Sequence, residues 1–220
     1  PPPTATPPRR PGRGVFLCLE GPDGAGKSTQ AVRLRDSLTR LGVEVVSCRD
    51  PGGTPLGDRL RALLLDREGV PLGMRAEMLL YMASRAQLVE EVIRPSLDEG
   101  RVVVCDRFLM SNVVYQGYAG GLDVGELWSV GQAATGGLLP HLTLLIDVPV
   151  AVGRARTGEP RDRIEDRGDD YRHRVREGFL RAAESYPAPI VVVDGSASPD
   201  EVAKRIEGEV LRVLGTDPRS

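Results

Sequence analysis

The sequence has few cysteines, no long apolar run and no excess of charge of one sign. Three cysteines are an odd number, and their wide spacing argues against a disulfide framework or a zinc site and favours a reducing compartment. Apolar stretches such as residues 142–146 are far shorter than the roughly 20 residues of a membrane span, and no signal-peptide stretch is visible. The balance of 29 basic and 31 acidic residues argues against a broad nucleic-acid-binding face. We therefore expect a cytoplasmic protein without nucleic-acid or membrane partners.

Lysine is also scarce, and of the 29 basic residues only Lys27 and Lys204 are lysines. This excess of arginine, together with many Gly, Pro and Ala residues, indicates a codon bias, so arginine abundance alone says little about function. A lysine that is kept against such a bias is more informative.

The chain divides into a short tail and one longer unit. Residues 1–14 are rich in proline and nearly free of apolar side chains, so they cannot bury enough surface to offset the entropy lost on ordering. We predict that this tail is disordered; a basic arm that binds phosphate or a membrane is the alternative. Residues 15–214 show no internal repeat, and their length suits a single domain.

Short β-rich runs alternate with segments of helical spacing in the longer unit. Strands separated by helices imply right-handed crossovers, and hence an α/β fold of three layers with a five-stranded, mostly parallel sheet covered by helices on both faces. The cysteines fall in or beside these runs, and we interpret them as small buried apolar side chains. The predicted strands are Val15–Glu20, 43–48, Val102–Asp106, Leu142–Asp147 and Ile190–Asp194.

One loop carries a phosphate-binding pattern. Residues 21–28 fit G-x-x-x-x-G-K-[ST], directly after the first predicted strand and directly before a helical segment. Glycines let successive backbone N–H groups surround a phosphate chain, Lys27 reaches the β- and γ-phosphates, and the Ser28 hydroxyl reaches Mg²⁺. We predict a Mg²⁺–ATP site, with Ser28 and Asp23 as the metal residues; Asp106, at the end of the third predicted strand, is the alternative to Asp23. The predicted ATP-binding set is Gly21, Pro22, Asp23, Gly24, Ala25, Gly26, Lys27, Ser28 and Thr29.

The loop alone leaves the reaction open. The N-K-x-D motif with which switch GTPases read the base is absent, and the third predicted strand ends at Asp106 followed by Arg107. An arginine at this point suits a second anionic substrate better than the activation of water, which favours a kinase. A P-loop module or switch that hydrolyses ATP slowly is the alternative from another class.

Three further polar clusters could form an acceptor site. The segment RDPGGT at residues 49–54 leaves the second predicted strand at the edge where open α/β sheets bind ligands. Tyr81 and Arg85 are four residues apart on one predicted helix, so an aromatic plane and a guanidinium share a face. A third cluster follows the third strand. Taken singly, each has a plainer explanation, such as a turn with a solvated arginine or a core tyrosine.

Together, these segments resemble the thymidylate kinase family, which phosphorylates dTMP to dTDP. The matching pieces run from about residue 15 to residue 166 and read GPDGAGKST, RDPGGT, EMLLYMASRAQL, DRFLMSNVVYQG, PHLTLLIDV and DRIED. The resemblance implies a P-loop NTPase-like fold, one nucleoside-monophosphate-kinase-like domain over residues 15–214, ATP as phosphoryl donor, Mg²⁺ and a homodimer. A kinase of similar fold that acts on another pyrimidine is the alternative enzyme.

The resemblance also implies roles for the acceptor residues. Arg49 and Arg107 would clamp the dTMP phosphate, a task that guanidinium groups suit geometrically. Tyr81 would stack on thymine, where the family usually has phenylalanine, and Arg85 would bond the thymine edge. Ser111 or Asn112 would read the ring N–H, and two further residues would lie near the deoxyribose. The predicted dTMP-binding set is Arg49, Pro51, Tyr81, Arg85, Asp106, Arg107, Ser111, Asn112, Tyr115 and Gln116.

Family members differ in where they supply the arginine that stabilises the transferred phosphoryl group. Some carry it in the P-loop and others in a lid. Gly24 occupies the P-loop position here, so the resemblance implies lid arginines, in a lid over about residues 153–168. A solvated, arginine-rich surface is the alternative. The predicted catalytic residues are Lys27, Asp23, Arg154, Arg156 and Arg161.

Overall fold

The structure is a computed structural model that describes residues 14–66, 69–158 and 162–215. The tail predicted over residues 1–14 lies outside the described residues except for Gly14, whose amide donates to the Leu97 carbonyl at 3.0 Å. Arg161 of the predicted lid also lies outside them.

A five-stranded parallel sheet forms the centre of the fold, in the order β2-β3-β1-β4-β5. The predicted α/β class and the number and direction of the strands are confirmed. Strand β2 is shifted from the predicted range 43–48, because the Val43 amide donates to the Leu38 carbonyl and closes the preceding helix instead of pairing with β3. The strands are β1 (Val15–Glu20), β2 (Val45–Arg49), β3 (Val102–Asp106), β4 (Leu142–Asp147) and β5 (Ile190–Asp194).

Helices cover both faces of the sheet. Two of them continue as π-helical turns, α3 through Val89–Ile93 into α4 and α5 through Val113–Tyr118, and a 3₁₀ turn over Glu165–Arg167 precedes α8. Within the described ranges, none of the helices has the length and apolar character needed to traverse a bilayer. The helices are α1 (Lys27–Arg40), α2 (Pro55–Leu65), α3 (Met74–Leu88), α4 (Arg94–Asp98), α5 (Leu109–Asn112), α6 (Val124–Thr135), α7 (Val150–Thr157), α8 (Asp169–Glu184) and α9 (Pro199–Leu214).

Two apolar layers sandwich the sheet. On one face, α1 and α9 pack on β1 and β4 through residues such as Leu34 and Ile206. On the other face, α3, α5 and α6 pack on β1 and β3, and this layer includes Cys18 and Cys105. Burial raises the pKa of both thiols well above the usual value, so they are packed as small apolar side chains, in line with the prediction.

Candidate active site

A cleft of about 990 Å³ opens where the carboxyl ends of β1, β2 and β3 meet. Parallel strands place their following loops at one edge of the sheet, so distant segments of the chain meet here. Every residue of the predicted dTMP set lines this cleft, as do residues 23–29 of the phosphate-binding loop and Arg156. Gly21, Pro22 and Arg154 are not among the lining residues. Further lining residues stand outside the predicted site sets, although several fall in the segment 49–54 or in the predicted lid; they include Asp50, Arg61, Leu65, Thr157, Asp162 and Ile164.

The phosphate-binding loop has the backbone geometry that its glycines permit. Gly24 and Gly26 adopt φ angles of 76° and 93°, in the left-handed region that favours glycine, and Gly26 immediately precedes α1. The Lys27 ammonium is buried and donates to the Pro22 carbonyl at 2.7 Å. The loop therefore follows a strand and opens a helix, the context that a phosphate-binding loop requires.

The charge of Lys27 depends on pH in the range in which enzymes are assayed. Burial and the nearby Arg107 lower the pKa of Lys27 to about 8, although Asp23 and Asp106 oppose the shift. At pH 7 the ammonium is therefore largely protonated before any ligand arrives, and it loses its proton as the pH rises through 8.

ATP binding is expected to take up a proton above pH 8, because the triphosphate favours the charged ammonium and so raises the pKa of Lys27. Affinity should fall as the pH rises from 7.5 to 9.5, by up to about tenfold per pH unit above the pKa of the free protein. Titration calorimetry at pH 7.0 and 8.8, in pairs of buffers with different ionisation enthalpies, measures the uptake. Little uptake at pH 7.0 and a fraction of a proton at pH 8.8 are expected; equal values at both would contradict the assignment.

Ser28 and Asp106 form an oxygen-rich pair beside the loop. The Ser28 hydroxyl donates to Asp106 Oδ2 at 2.5 Å, and among the described residues Asp106 Oδ1 is buried without a hydrogen-bond partner. Hydroxyl and carboxylate oxygens are the ligands that Mg²⁺ prefers, so these residues fit a magnesium ion. Of the two carboxylates that the sequence leaves open, the structure brings Asp106 into hydrogen-bond contact with Ser28, and the metal role of Asp23 stays a prediction.

The Asp23 carboxylate contacts Arg107 and Tyr115, two residues of the predicted acceptor site. It forms an ion pair with Arg107 and accepts a hydrogen bond from the Tyr115 hydroxyl at 2.8 Å. Burial opposes ionisation of Asp23, but Arg107 and Lys27 outweigh it and lower the pKa of the carboxyl.

Arg107 is held in a strained backbone conformation. Its φ of 69° lies in the left-handed region, which costs an L-residue about 1–2 kcal/mol. The guanidinium donates to the Gly21 carbonyl at 2.9 Å and to Ser111 Oγ at 3.1 Å. Burial disfavours the charged form of Arg107, but the nearby Tyr115 and Asp23 favour it more strongly, so the pKa of Arg107 is raised above its usual value. A strained residue that is fixed over a cleft is a candidate functional residue.

Glu20, at the end of β1, supports this turn, and the sequence reasoning missed it. The fully buried carboxylate accepts hydrogen bonds from the Phe108 amide at 2.9 Å and from the Ser111 amide and hydroxyl at 3.2 and 2.5 Å. Burial raises its pKa despite these bonds. The available signal was an acidic residue at the end of an otherwise apolar strand.

The far end of the cleft suits a planar base. Arg85 is 1% exposed, and its Nε donates to Asp50 Oδ2 at 2.5 Å while Nη1 donates to Asn112 Oδ1 at 3.0 Å. Tyr81 lies one turn earlier on α3 and lines the same space. The contacts with Asp50 and Asn112 fix the guanidinium, which also lies over the Phe108 ring at 5.6 Å. Arg49, by contrast, has a side chain that is 56% exposed and forms an ion pair with Asp58 at 3.4 Å.

The predicted lid arginines occupy different places. Arg156, on α7, lines the cleft and donates to the Gly195 carbonyl at 2.9 Å. Arg154 is exposed and paired with Asp169 at 2.6 Å. A Cβ on Gly24 would lie 2.2 Å from the Gly153 carbonyl oxygen at the start of the same helix, so the phosphate-binding loop has no room for a side chain at this position.

The parallel sheet, the phosphate-binding loop and the arginine-lined second half of the cleft define a P-loop kinase with separate places for a nucleotide donor and an anionic acceptor. The family model described as "Thymidylate kinase" matches residues 19–206. The chain belongs to the thymidylate kinase family, as its motifs predict.

Individual relatives agree with this membership. A protein named thymidylate kinase from Symbiobacterium thermophilum is 46% identical over 201 residues, which cover 91% of this chain and 94% of the relative. Another of that name, from Desulfovibrio desulfuricans, is 47% identical over 209 residues, covering 91% and 96%. A third, from Deinococcus radiodurans, is 46% identical over 199 residues, covering 88% and 95%.

Proposed function

We propose that this protein carries out the reaction of its family, ATP-dependent phosphorylation of dTMP to dTDP, with Arg156 stabilising the transferred phosphoryl group. The observation that carries the proposal is one cleft that is lined by the phosphate-binding loop and also by Tyr81 and the Arg85 guanidinium, which Asp50 and Asn112 hold in place. Phosphoryl transfer requires mainly positioning and charge stabilisation, and the cleft offers groups for both.

On the donor side, backbone N–H groups of the loop and the Lys27 ammonium hold the phosphates of ATP. Ser28 and Asp106 would hold Mg²⁺, which would neutralise charge on the phosphate oxygens. Asp23 keeps Arg107 and Tyr115 in place, so its contribution is to orient the residues around the acceptor phosphate.

On the acceptor side, Arg107 and Arg49 hold the dTMP phosphate. Tyr81 stacks on thymine, and Arg85 bonds the thymine edge from the position that Asp50 and Asn112 impose on it. The remaining contacts follow the predicted roles: Ser111 or Asn112 reads the ring N–H, and Tyr115 and Gln116 lie beside the deoxyribose.

The arginine that stabilises the transferred group comes from the lid, over about residues 153–168, and not from the P-loop. The lack of space at Gly24 supports this assignment, because an arginine there would collide with the Gly153 carbonyl. Arg156 is the candidate because its side chain reaches the cleft, whereas Arg154 is paired on the surface with Asp169. Arg161 stays a prediction outside the described residues.

The domain organisation is part of the proposal. Residues 15–214 form one nucleoside-monophosphate-kinase-like domain, and two copies of the chain form a homodimer, as the family resemblance implies. Light scattering on a gel-filtration peak measures the mass in solution and separates dimer from monomer.

The acceptor assay tests the function. ADP release from ATP and Mg²⁺ is followed with dTMP, dUMP, dCMP, UMP and AMP in parallel. We expect rapid release with dTMP and release about 10–200-fold less efficient with dUMP, because one missing methyl group costs only about 1–3 kcal/mol. Cytosine and adenine leave buried polar groups unpaired and should be far worse. Release that ignores the acceptor would favour the slow ATPase switch instead.

A further inference from the structure

Glu77, on α3, is a buried carboxylate with three partners from distant parts of the chain. It is fully buried. Its Oε2 accepts hydrogen bonds from Arg163 Nη2 at 2.9 Å and Arg167 Nη2 at 2.6 Å, and its Oε1 accepts from Gln116 Nε2 at 2.8 Å. Burial of a carboxylate is costly unless opposite charges and hydrogen bonds offset it, and here two guanidinium groups do so.

The contacts of Glu77 continue into the acceptor end of the cleft. Gln116 Oε1 accepts from Asn112 Nδ2 at 2.6 Å, and Asn112 Oδ1 accepts from Arg85 Nη1 at 3.0 Å. Arg85, Asn112 and Gln116 all line the cleft. A continuous series of hydrogen bonds therefore joins the two arginines to the place where the acceptor base is proposed to bind.

The arginine partners belong to a segment that forms part of the cleft wall. We call residues 162–167 the docking segment; two of its members, Asp162 and Ile164, line the cleft. Arg167 also donates to the Tyr171 hydroxyl at 2.8 Å and lies over that ring at 5.0 Å. Since both guanidinium groups are directed to Glu77, they hold the segment in place, and neither is the arginine for the transferred phosphoryl group.

We propose that Glu77 is a positioning residue that fastens the docking segment to the acceptor side of the cleft, so that acceptor binding and docking of this segment stabilise each other. The identity of the acceptor as dTMP rests on the proposed function. Docking itself does not, because its contacts are made between residues of this chain alone. An acceptor that forms hydrogen bonds with Arg85 or Asn112 restricts the motion of the side chains that connect these residues to Glu77. Because such coupling is reciprocal, a docked segment in turn strengthens acceptor binding.

Limited proteolysis of Glu77→Gln tests docking directly. Trypsin cleaves after arginine, so cleavage after Arg163 and Arg167, followed by mass spectrometry, reports release of the docking segment. We expect cleavage at these bonds to be about tenfold faster in Glu77→Gln than in wild type, and dTMP to slow it in wild type only. Glu126→Gln is the control, because Glu126 also pairs with an arginine between helices, Arg75, in an exposed pair that is not part of the hydrogen-bond series to Glu77; its cleavage rates should equal those of wild type.

Kinetics distinguish a positioning role from a general loss of stability. In Glu77→Gln, kcat/KM for dTMP should fall about tenfold, mainly through a higher KM for dTMP, with the KM for ATP nearly unchanged. The double variant Arg163→Gln/Arg167→Gln should cause a similar loss, and combining it with Glu77→Gln should add little, because all three residues act through one contact.

Each outcome decides the inference. Equal cleavage rates in wild type and in a folded Glu77→Gln, or additive kinetic losses, would overturn it. If Glu77→Gln fails to fold, the double variant Arg163→Gln/Arg167→Gln replaces it, since these side chains are 16% and 22% exposed and lie at the edge of the contact. This variant lacks both trypsin sites, so thermolysin, which cleaves before apolar residues such as Ile164, is used for it and for wild type, and faster cleavage in the variant is expected. If wild type does not phosphorylate dTMP, the proposed function fails, while the ligand-free cleavage comparison still decides whether Glu77 holds the segment.

Discussion

Arg156→Ala is expected to slow turnover by about 10³–10⁵-fold, the range that arginines of this kind contribute in related phosphoryl transfers. The KM for dTMP should change less than about threefold, because an interaction made mainly in the transition state lowers kcat without weakening ground-state binding. Arg156 is the described arginine of α7 that lines the cleft, and its present contact is a single backbone carbonyl, that of Gly195. The guanidinium can therefore turn to the phosphates without breaking an ion pair that the structure shows.

Steady-state assays with varied dTMP at saturating ATP measure this split. Arg154→Ala is the matched control: it removes an arginine from the same helix, but one that is exposed and paired with Asp169, and its kcat should stay within about threefold of wild type. Parallel losses in kcat and in dTMP binding for Arg156→Ala would contradict the transition-state role, and so would a larger effect in the control.

Replacing Arg107 with alanine should reduce kcat/KM for dTMP by about 10³-fold, mainly through a higher KM. Hydrogen bonds to charged groups are worth about 1.5–3 kcal/mol each, and a guanidinium can make two of them to one phosphate. Arg107→Lys keeps the positive charge without the forked geometry, so it should recover only part of the loss. The unfolding temperature should also fall, because Arg107 lowers the pKa of Asp23 and its loss would leave a partly buried carboxylate without its ion-pair partner.

Arg107→Gly separates the backbone from the side chain. Glycine accepts a φ of 69° without the cost that alanine meets, so the glycine variant should be more stable than the alanine variant by about 1 kcal/mol. Its activity should nevertheless be as low, because both variants lack the guanidinium. Denaturant unfolding and the dTMP assay together measure the two effects. Activity in the glycine variant close to wild type would show that the backbone conformation, and not the guanidinium, is what matters.

The sequence predicts most of the sheet because its strands appear as short apolar runs, and the central strands β1, β3 and β4 are buried on both faces. Strand β2 was the exception, since Val43 has the apolar character of a strand residue but its amide closes α1. The π-helical turns at Val89–Ile93 and Val113–Tyr118 could not be predicted from the sequence, because the spacing of their apolar residues is the same as in an ordinary α-helix. The phosphate-binding loop was predictable because its chemistry is local to eight residues.

The buried acids could not be predicted in the same way. Glu77 lies among the buried residues of α3, beside Met78, and nothing near it in the chain indicates partners about 90 residues away. The same limit applies to the arginines, since Arg156 and Arg163 look alike in an arginine-rich sequence. Only the folded arrangement separates the one that faces the cleft from the one that is directed to a carboxylate.

The close approach of Gly24 and Gly153 has a mechanical consequence. A Cβ on Gly24 would meet the Gly153 carbonyl oxygen at 2.2 Å, and one on Gly153 would meet the Asp23 carbonyl oxygen at 2.7 Å, so the two backbones touch with no side chain between them. Helix α7 cannot slide or tilt toward the triphosphate without displacing the loop that holds it. The stem of Arg156 therefore already lies as close to the proposed donor site as the two backbones allow, and the side-chain torsions of that arginine can adjust during a turnover without a closer approach of the helix. Such a pre-set stem lowers the reorganisation required at the moment of transfer.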